Sequence, residues 1–375
     1  MCRLAFLYLR IALKPSAIAC LFLCAVLLAQ PITAIAFETD QYNLPPQPLA
    51  DIGDEVSDYT EENVRKAIDK INAEIRARQS CLESNAVKLK KTKCGSPEKE
   101  RARLDYLRSD AAVTREVYSL LGAGIIPFTK SGSWMESHDF KAQPARYKTG
   151  YRKSIFFIVP TNYLTISRTV NLYGAQFGTD KIAHFFQQGY DYYKIYERAL
   201  KSSSTVYEAT RKAIRWGQKT ERTYYGTLVS GVYSNADLYA NYAGMKFYQG
   251  LTKAIVIGDS TRPPVFVLND GIWTFNEGAN LREILIKPFL TDHLNEALNP
   301  SKFIAGLRSS VRRTVRKQSC EQWLSRYPNL SQTALAETTR QLKRWHGEDY
   351  GFSDSEKFVT IANTCFGDVN TPASK

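Results

Sequence analysis

The stretch that most restricts the fold is NADLYANYAGMKFYQGLTK, residues 235–253. With side chains about 100° apart around a helix, Leu238, Tyr239, Ala240, Tyr242, Ala243, Met245 and Phe247 cover nearly its whole circumference. A helix apolar almost all round is a buried one. Asp237, Asn241, Gly244 and Tyr248, at i, i+4, i+7 and i+11, form one stripe along it. An unpartnered buried polar group costs on the order of a few kcal/mol and a bare carboxylate more, so Asp237 and Asn241 require polar partners from elsewhere in the chain. Gly244 marks a point where a second backbone can approach closely.

Those partners are available in FGTDKIAHFFQQGYDYY, residues 177–193. A helix over 179–201 places Asp180, His184, Gln187 and Asp191 on one face, with Ile182, Phe185, Phe186, Tyr190, Tyr193 and Tyr196 opposite. Glu221 supplies a third carboxylate one helix away. We therefore expect Asp180, His184, Glu221, Asp237 and Asn241 to form a polar centre inside a helical bundle. Such a centre can bind a metal through histidine and carboxylates, or pair His184 with an aspartate for acid/base work. It can equally be a satisfied network that only fixes packing. The spacing D-x-x-x-H with D-x-x-x-N specifies no particular metal or cofactor.

DKIAHFFQQGY followed by SNADLYANYAGMKFY resembles the D-K-x-x-H-F … D-L-x-A-N-x-x-G signature of VanZ-like proteins and of YfiM-like periplasmic lipoproteins. On that match Asp180, Lys181, His184, Phe185, Asp237, Leu238, Ala240, Asn241 and Gly244 carry over, with Glu221 a looser counterpart. The resemblance covers residues 177–250. VanZ-like helices are membrane-embedded, whereas these carry Lys194, Glu197, Arg211, Lys212 and Lys219. The arginine and glutamine that VanZ-like proteins place between the motifs have no clear counterpart. With its QYNLPPQPLADIGDE opening, the chain is similar to a family of exported bacterial proteins, and the resemblance implies a site without implying a reaction.

The first 36 residues combine Arg3, Arg10 and Lys14 with the apolar run AIACLFLCAVLLAQPITAIA and end in Ala34-Ile35-Ala36, the pattern of a cleavable secretory signal. We expect a mature chain from about Phe37, located in the periplasm or outer envelope. After the signal no apolar run approaches the roughly 20 residues of a membrane span. Removing three basic residues leaves 47 Lys+Arg against 37 Asp+Glu, a charge of +10. The runs KLKKTK (88–93) and RSSVRRTVRK (308–317) concentrate it. In an exported protein these point to anionic lipid head groups or an acidic wall polymer, with peripheral membrane contact, and not to nucleic acid; they can also be solvated surface. Of seven cysteines, Cys81, Cys94, Cys320 and Cys365 remain. An oxidising compartment favours pairing, and proximity suggests Cys81–Cys94 and Cys320–Cys365. No clustered Cys/His spacing suggests zinc.

Along the chain, 37–59 reads as an extended proline-rich lead-in and 60–124 as a helical hairpin, with Thr60 capping the first helix and Ser96-Pro97-Glu98 opening the second. Residues 125–176 form an irregular connection and 177–254 the central bundle, with helices at 179–201, 205–230 and 235–253. Residues 255–375 hold a β-hairpin turning at Asn269-Asp270-Gly271, then helices near 281–298, 301–326, 331–346 and 354–366, the last capped by Ser353 and Glu356. His138, His293 and His346 accompany no nucleophile motif or phosphate-binding loop. The expected fold is mainly α, a helical bundle with one short β-hairpin stapled by two disulfides. The expected function is binding or scaffolding at the cell envelope. The alternative is a hydrolase or transferase acting on a phosphorylated envelope lipid or cell-wall precursor through the His/Asp/Glu centre.

Overall fold

The computed structural model describes residues 38–83, 94–125, 128–277, 280–327, 331–352 and 357–366. The signal, the KLKKTK run and the Ser353/Glu356 cap lie outside them. Mainly helical structure is observed: α1 (Gly53–Glu83), α2 (Pro97–Leu107), α3 (Asp110–Leu121), α4 (Lys130–Ser137), α5 (Pro160–Leu164), α6 (Thr179–Ala183), α7 (Gly189–Lys201), α8 (Val206–Glu221), α9 (Asn235–Gly250), α10 (Leu281–Ile284), α11 (Ala305–Thr314), α12 (Cys320–Arg326), α13 (Gln332–Gln341) and α14 (Ile361–Cys365).

The lead-in is extended but not peripheral. Glu38, Thr39, Asp40, Gln41, Tyr42 and Asn43 are all buried. Tyr42 donates to the Val359 carbonyl and accepts at its own carbonyl from Trp323 Nε1, each at 2.9 Å, so the segment is tied to the last part of the chain. α1 begins at Gly53, earlier than expected, because the Asp51 carboxylate accepts from the Gly53 N–H at 2.8 Å and Asp54 and Glu55 follow in the first turn. Thr60 is then interior to the helix, its hydroxyl donating to the Val56 carbonyl. α1 packs on α2 and α3, which are separate helices broken at Arg108-Ser109.

α9 is buried throughout its length apart from Lys246 and Gln249, as its all-round apolar surface requires. It crosses α7 at two glycines. A Cβ on Gly244 would fall 2.0 Å from the Phe185 carbonyl oxygen, and one on Gly189 2.6 Å from Gly244 Cα. Between α6 and α7, His184–Gln188 is a π-helical turn closed by the Gly189 N–H on the His184 carbonyl. A π turn carries an extra residue, so it rotates the rest of the helix relative to a uniform 100° spacing. α8 opens with a Thr205/Glu208 capping box and stops at Glu221, where Gly226 packs within 2.4 Å (Cβ position) of the Glu221 carbonyl.

The strands depart from the expected single hairpin. β1 (Thr169–Leu172) with β2 (Ala175–Gly178), β4 (Ile255–Ile257) with β5 (Ser260–Arg262) and β6 (Phe266–Asn269) with β7 (Ile272–Phe275) form three antiparallel hairpins. β3 (Val232–Ser234), β8 (Ser301–Phe303) and β9 (Phe358–Val359) form a three-stranded antiparallel sheet. The β6–β7 turn is the expected one, with Asp270 and Gly271 both at positive φ. The helix expected over 281–298 is instead α10 and two 3₁₀ turns, Lys287–Phe289 and Asp292–Leu294; Pro288, inside the first of these turns, removes a helical donor.

Cys81–Cys94 and Cys320–Cys365 are disulfides, with Cα–Cα separations of 5.7 and 5.4 Å. They span 13 and 45 residues. Loop-closure entropy assigns about 3 and about 4 kcal/mol to them respectively. We predict that Cys320→Ser/Cys365→Ser lowers the urea midpoint more than Cys81→Ser/Cys94→Ser; the reverse order would contradict this ranking. Thiol titration of the denatured mature chain should find none of the four cysteines free.

Candidate functional site

The chain brings all five anticipated side chains together and adds several more. Asp180 and Lys181 come from the first turn of α6, placed by the β1–β2 hairpin that ends at Gly178. Asp237 and Asn241 come from α9, whose N-terminus is capped by Ser234 Oγ accepting from the Asp237 N–H at 3.1 Å. Glu221 ends α8 and accepts from the Ser234 N–H at 2.9 Å. Glu38 and Thr39 arrive on the buried lead-in, and Glu296 follows the Asp292–Leu294 turn, held by its N–H donating to Gln41 Oε1.

Lys181 is the hub. Its ammonium lies 2.7 Å from Asp180 Oδ2 and 2.5 Å from Asp237 Oδ1, and it also pairs with Glu296 Oε1. Thr39 Oγ1 donates to the other Asp180 oxygen at 2.7 Å, and Ser234 Oγ donates to Glu296 Oε1 at 3.2 Å. His184 Nδ1 lies 3.2 Å from Asn241 Oδ1, whose amide donates to Gln188 Oε1 at 2.9 Å. The other ring nitrogen, Nε2, faces Asp237 Oδ2 at 3.6 Å. The π turn explains a correction: Gln188, not Gln187, reaches the centre, and Asp191 turns outward to pair with Lys194 at 2.6 Å.

Every side chain of the centre is buried, His184 the most accessible at 5%. Five carboxyls, Glu38, Asp180, Glu221, Asp237 and Glu296, thus share one ammonium and one imidazole away from water. Burial, reinforced by neighbouring acids, raises Glu38 and Glu221 well above the ordinary carboxylate range and Glu296 to about 7. Burial alone would lower Lys181; Asp180, Asp237, Glu296 and Glu38 outweigh it and hold the ammonium well above its usual value. Asp40, just outside the centre, is pushed up to about 6 by burial.

Two donor sets have ligand atoms within 4.8 Å of one another: Asp180–His184–Asp237 and Glu38–Asp237–Glu296. Both share Asp237 with Lys181, so an added cation would meet an ammonium already seated there. The His184–Asp237 pair has the elements of acid/base chemistry, but their burial leaves no side chain of the pair facing solvent. His138 stacks on Trp134, His293 stacks on Tyr239 with Nε2 3.0 Å from the Arg344 carbonyl, and His346 sits exposed in a turn at φ 48°. None of these three joins the centre. Comparison with known protein families, curated proteins and solved structures found no match to this chain.

Sequence reasoning did not anticipate Lys181 as the hub, nor Glu38, Thr39 and Glu296. Lysine is ordinarily an exposed residue, and its place within D-K-x-x-H-F was the one signal pointing inward. Replacing it by a neutral chain of similar length leaves buried carboxylates without their cation, a loss of about 3–5 kcal/mol. We predict that drop for Lys181→Met in urea unfolding, against about 0–1 kcal/mol for Lys194→Met at the surface. Similar small losses for both would contradict the hub role.

The raised carboxyls set the sign of a pH effect. An acid whose pKa is higher folded than unfolded holds its proton more tightly in the native state, so its contribution is full below the ordinary carboxylate range and is lost as pH climbs through the folded value. With Asp40 at about 6 and Glu296 at about 7, the melting temperature should fall between about pH 4 and pH 7. A melting temperature that is flat or rising over that window would show that these groups remain ionised and are balanced by another cation.

Proposed function

We propose that this is an exported cell-envelope protein with a binding or scaffolding role, in which the Asp180–Lys181–His184–Asp237–Glu296 centre organises the fold and turns over no substrate. The observation that supports this most is the burial of every acidic, basic and imidazole side chain of the centre. Export is supported by the two disulfides, which persist in oxidising compartments. Among the described residues no helix is long and apolar enough to cross a membrane. Kinship to VanZ-like and YfiM-like proteins through D-K-x-x-H-F and D-L-x-A-N-x-x-G belongs to the same proposal.

A specific observation favours the second reading. Glu38 Oε2, Glu221 Oε2 and Glu296 Oε2 are buried with no hydrogen-bond partner among the described residues. Unsatisfied buried acceptors are where a bound cation or substrate proton would be placed in a hydrolase or transferase of envelope lipid or wall precursors, with His184 as the acid/base.

The two readings separate on one set of variants. The mature protein is assayed for bound metal, and His184→Ala and Asp237→Ala are compared with it for melting temperature and envelope phenotype. The scaffold reading predicts no stoichiometric metal and a phenotype that weakens in proportion to lost folded protein. A variant that melts like the parent yet loses the phenotype would overturn it in favour of the enzyme.

A further inference from the structure

Three stretches without a single Asp or Glu are joined to one another in the fold. Residues 140–179 hold Lys141, Arg146, Lys148, Arg152, Lys153 and Arg168; residues 222–236 hold Arg222; residues 297–320 hold Lys302, Arg308, Arg312, Arg313, Arg316 and Lys317. They are tied together directly. Asn162 Nδ2 donates to the Ser230 carbonyl at 2.6 Å, the Ile304 N–H donates to the Gly231 carbonyl at 2.9 Å, and β3 pairs with β8.

The same stretches expose Phe157, Ile158, Leu164, Leu228, Val229 and Ile304. Leu164 and Leu228 each leave 75% of their surface in water. One exposed leucine needs no explanation, but six large apolar side chains left in water on three directly joined segments point to an interaction surface. Cations stand beside it. Exposed Arg152 and Lys153 adjoin Tyr151, whose ring packs on Phe157 at 5.2 Å. Arg222 and Lys302 line one open depression with Thr227, Tyr233 and Phe358, Arg222 lying over the Tyr233 ring; Leu228 follows Thr227 in the chain. Some of the basic side chains are committed elsewhere: Arg168 pairs with Glu136, and Arg146 donates to the Met135 and His138 carbonyls.

The chemistry selects the occupant. An acidic polymer would use the cations and have no use for the apolar tips. A second copy docking through the same face would set cations against cations. An anionic bilayer satisfies both, accepting apolar side chains at the acyl boundary and basic ones at the head-group phosphates. We propose that this face docks peripherally on an anionic phospholipid bilayer, with Phe157, Ile158, Leu164, Leu228, Val229 and Ile304 entering the interface and Arg152, Lys153, Arg222 and Lys302 meeting phosphates. This deepens the binding reading above and rests on its assignment to the envelope.

The test is co-sedimentation of the purified mature chain with phosphatidylcholine vesicles with and without phosphatidylglycerol. Binding should require phosphatidylglycerol and weaken as salt rises. Leu164→Glu/Leu228→Glu and Arg222→Ala/Lys302→Ala should each reduce it about tenfold or more while melting like the parent, since all four side chains are exposed or line an open depression. Failure to bind either vesicle overturns the proposal. Binding unaffected by the leucine variant overturns insertion and points to a purely electrostatic ligand such as a wall polymer. Self-association in solution that the leucine variant abolishes, without vesicle binding, assigns the face to a second copy and overturns it as well. Vesicle binding is independent of the metal content and melting of the His184 and Asp237 variants, so either proposal can fail without the other.

Discussion

The ammonium of Lys181 is the interaction on which the rest of the structure depends. It is fully buried and shared by Asp180, Asp237 and Glu296, which come from α6, from the start of α9 and from the turn before β8. Burying charges is expensive and is recovered only when geometry and hydrogen bonding are complete, so such a centre specifies an arrangement more than it adds stability. Here the acids outnumber the cations, and Glu296 taking up a proton near neutrality is the expected physical response to that excess. Thr39 and Gln41 then order the groups around the hub through one hydrogen bond each, and Ser234 through three, to Glu296, Asp237 and Glu221.

Backbone geometry makes the hub possible. The Gly189–Gly244 crossing lets α7 and α9 approach at a separation that no larger residue allows, which brings His184 to Asn241 and Asp237. The π turn at His184–Gln188 shifts the helix phase so that Gln188 completes the chain from His184 through Asn241. The buried lead-in closes the centre by delivering Glu38 and Thr39, and its Asp40 carboxylate accepts from the Asn43 side chain at 2.8 Å and the Ile155 N–H at 3.1 Å. A segment that looks like a linker is therefore an extended, buried part of the core.

What was legible in the chain followed from strong local physics. The all-round apolar surface of 235–253 announced a buried helix whose Asp237 and Asn241 needed polar partners; His184 is one of them, whereas Asp180 meets Asp237 only through the shared Lys181 ammonium. Gly244 announced a close crossing, Asn269-Asp270-Gly271 a hairpin turn, and proximity the two disulfides. The rest depended on information that local pattern does not carry. Strands of two or three residues in the β3–β8–β9 sheet have no period to read, and their pairing is set by distant contacts. Uniform helical spacing could not foresee a π turn, so it assigned Gln187 and Asp191 to the wrong face. Glu296 and Glu38 lie in irregular segments whose acids ordinarily face water, and neither segment carries a period that would mark them as buried.

Two regions thus divide the molecule's chemistry. A buried acidic centre holds the elements together, and three joined stretches without Asp or Glu expose cations and large apolar side chains away from it. The central claim is that Lys181 is a protonated hub shut off from water. The most direct measurement is proton exchange of the lysine ammonium groups, observed by NMR on protein labelled with ¹⁵N at lysine Nζ. One lysine, lost in Lys181→Met, should keep a slowly exchanging ammonium signal at neutral and mildly alkaline pH while the exposed lysines exchange rapidly. Rapid exchange of every lysine would mean that water reaches the centre, and the sealed hub would be wrong.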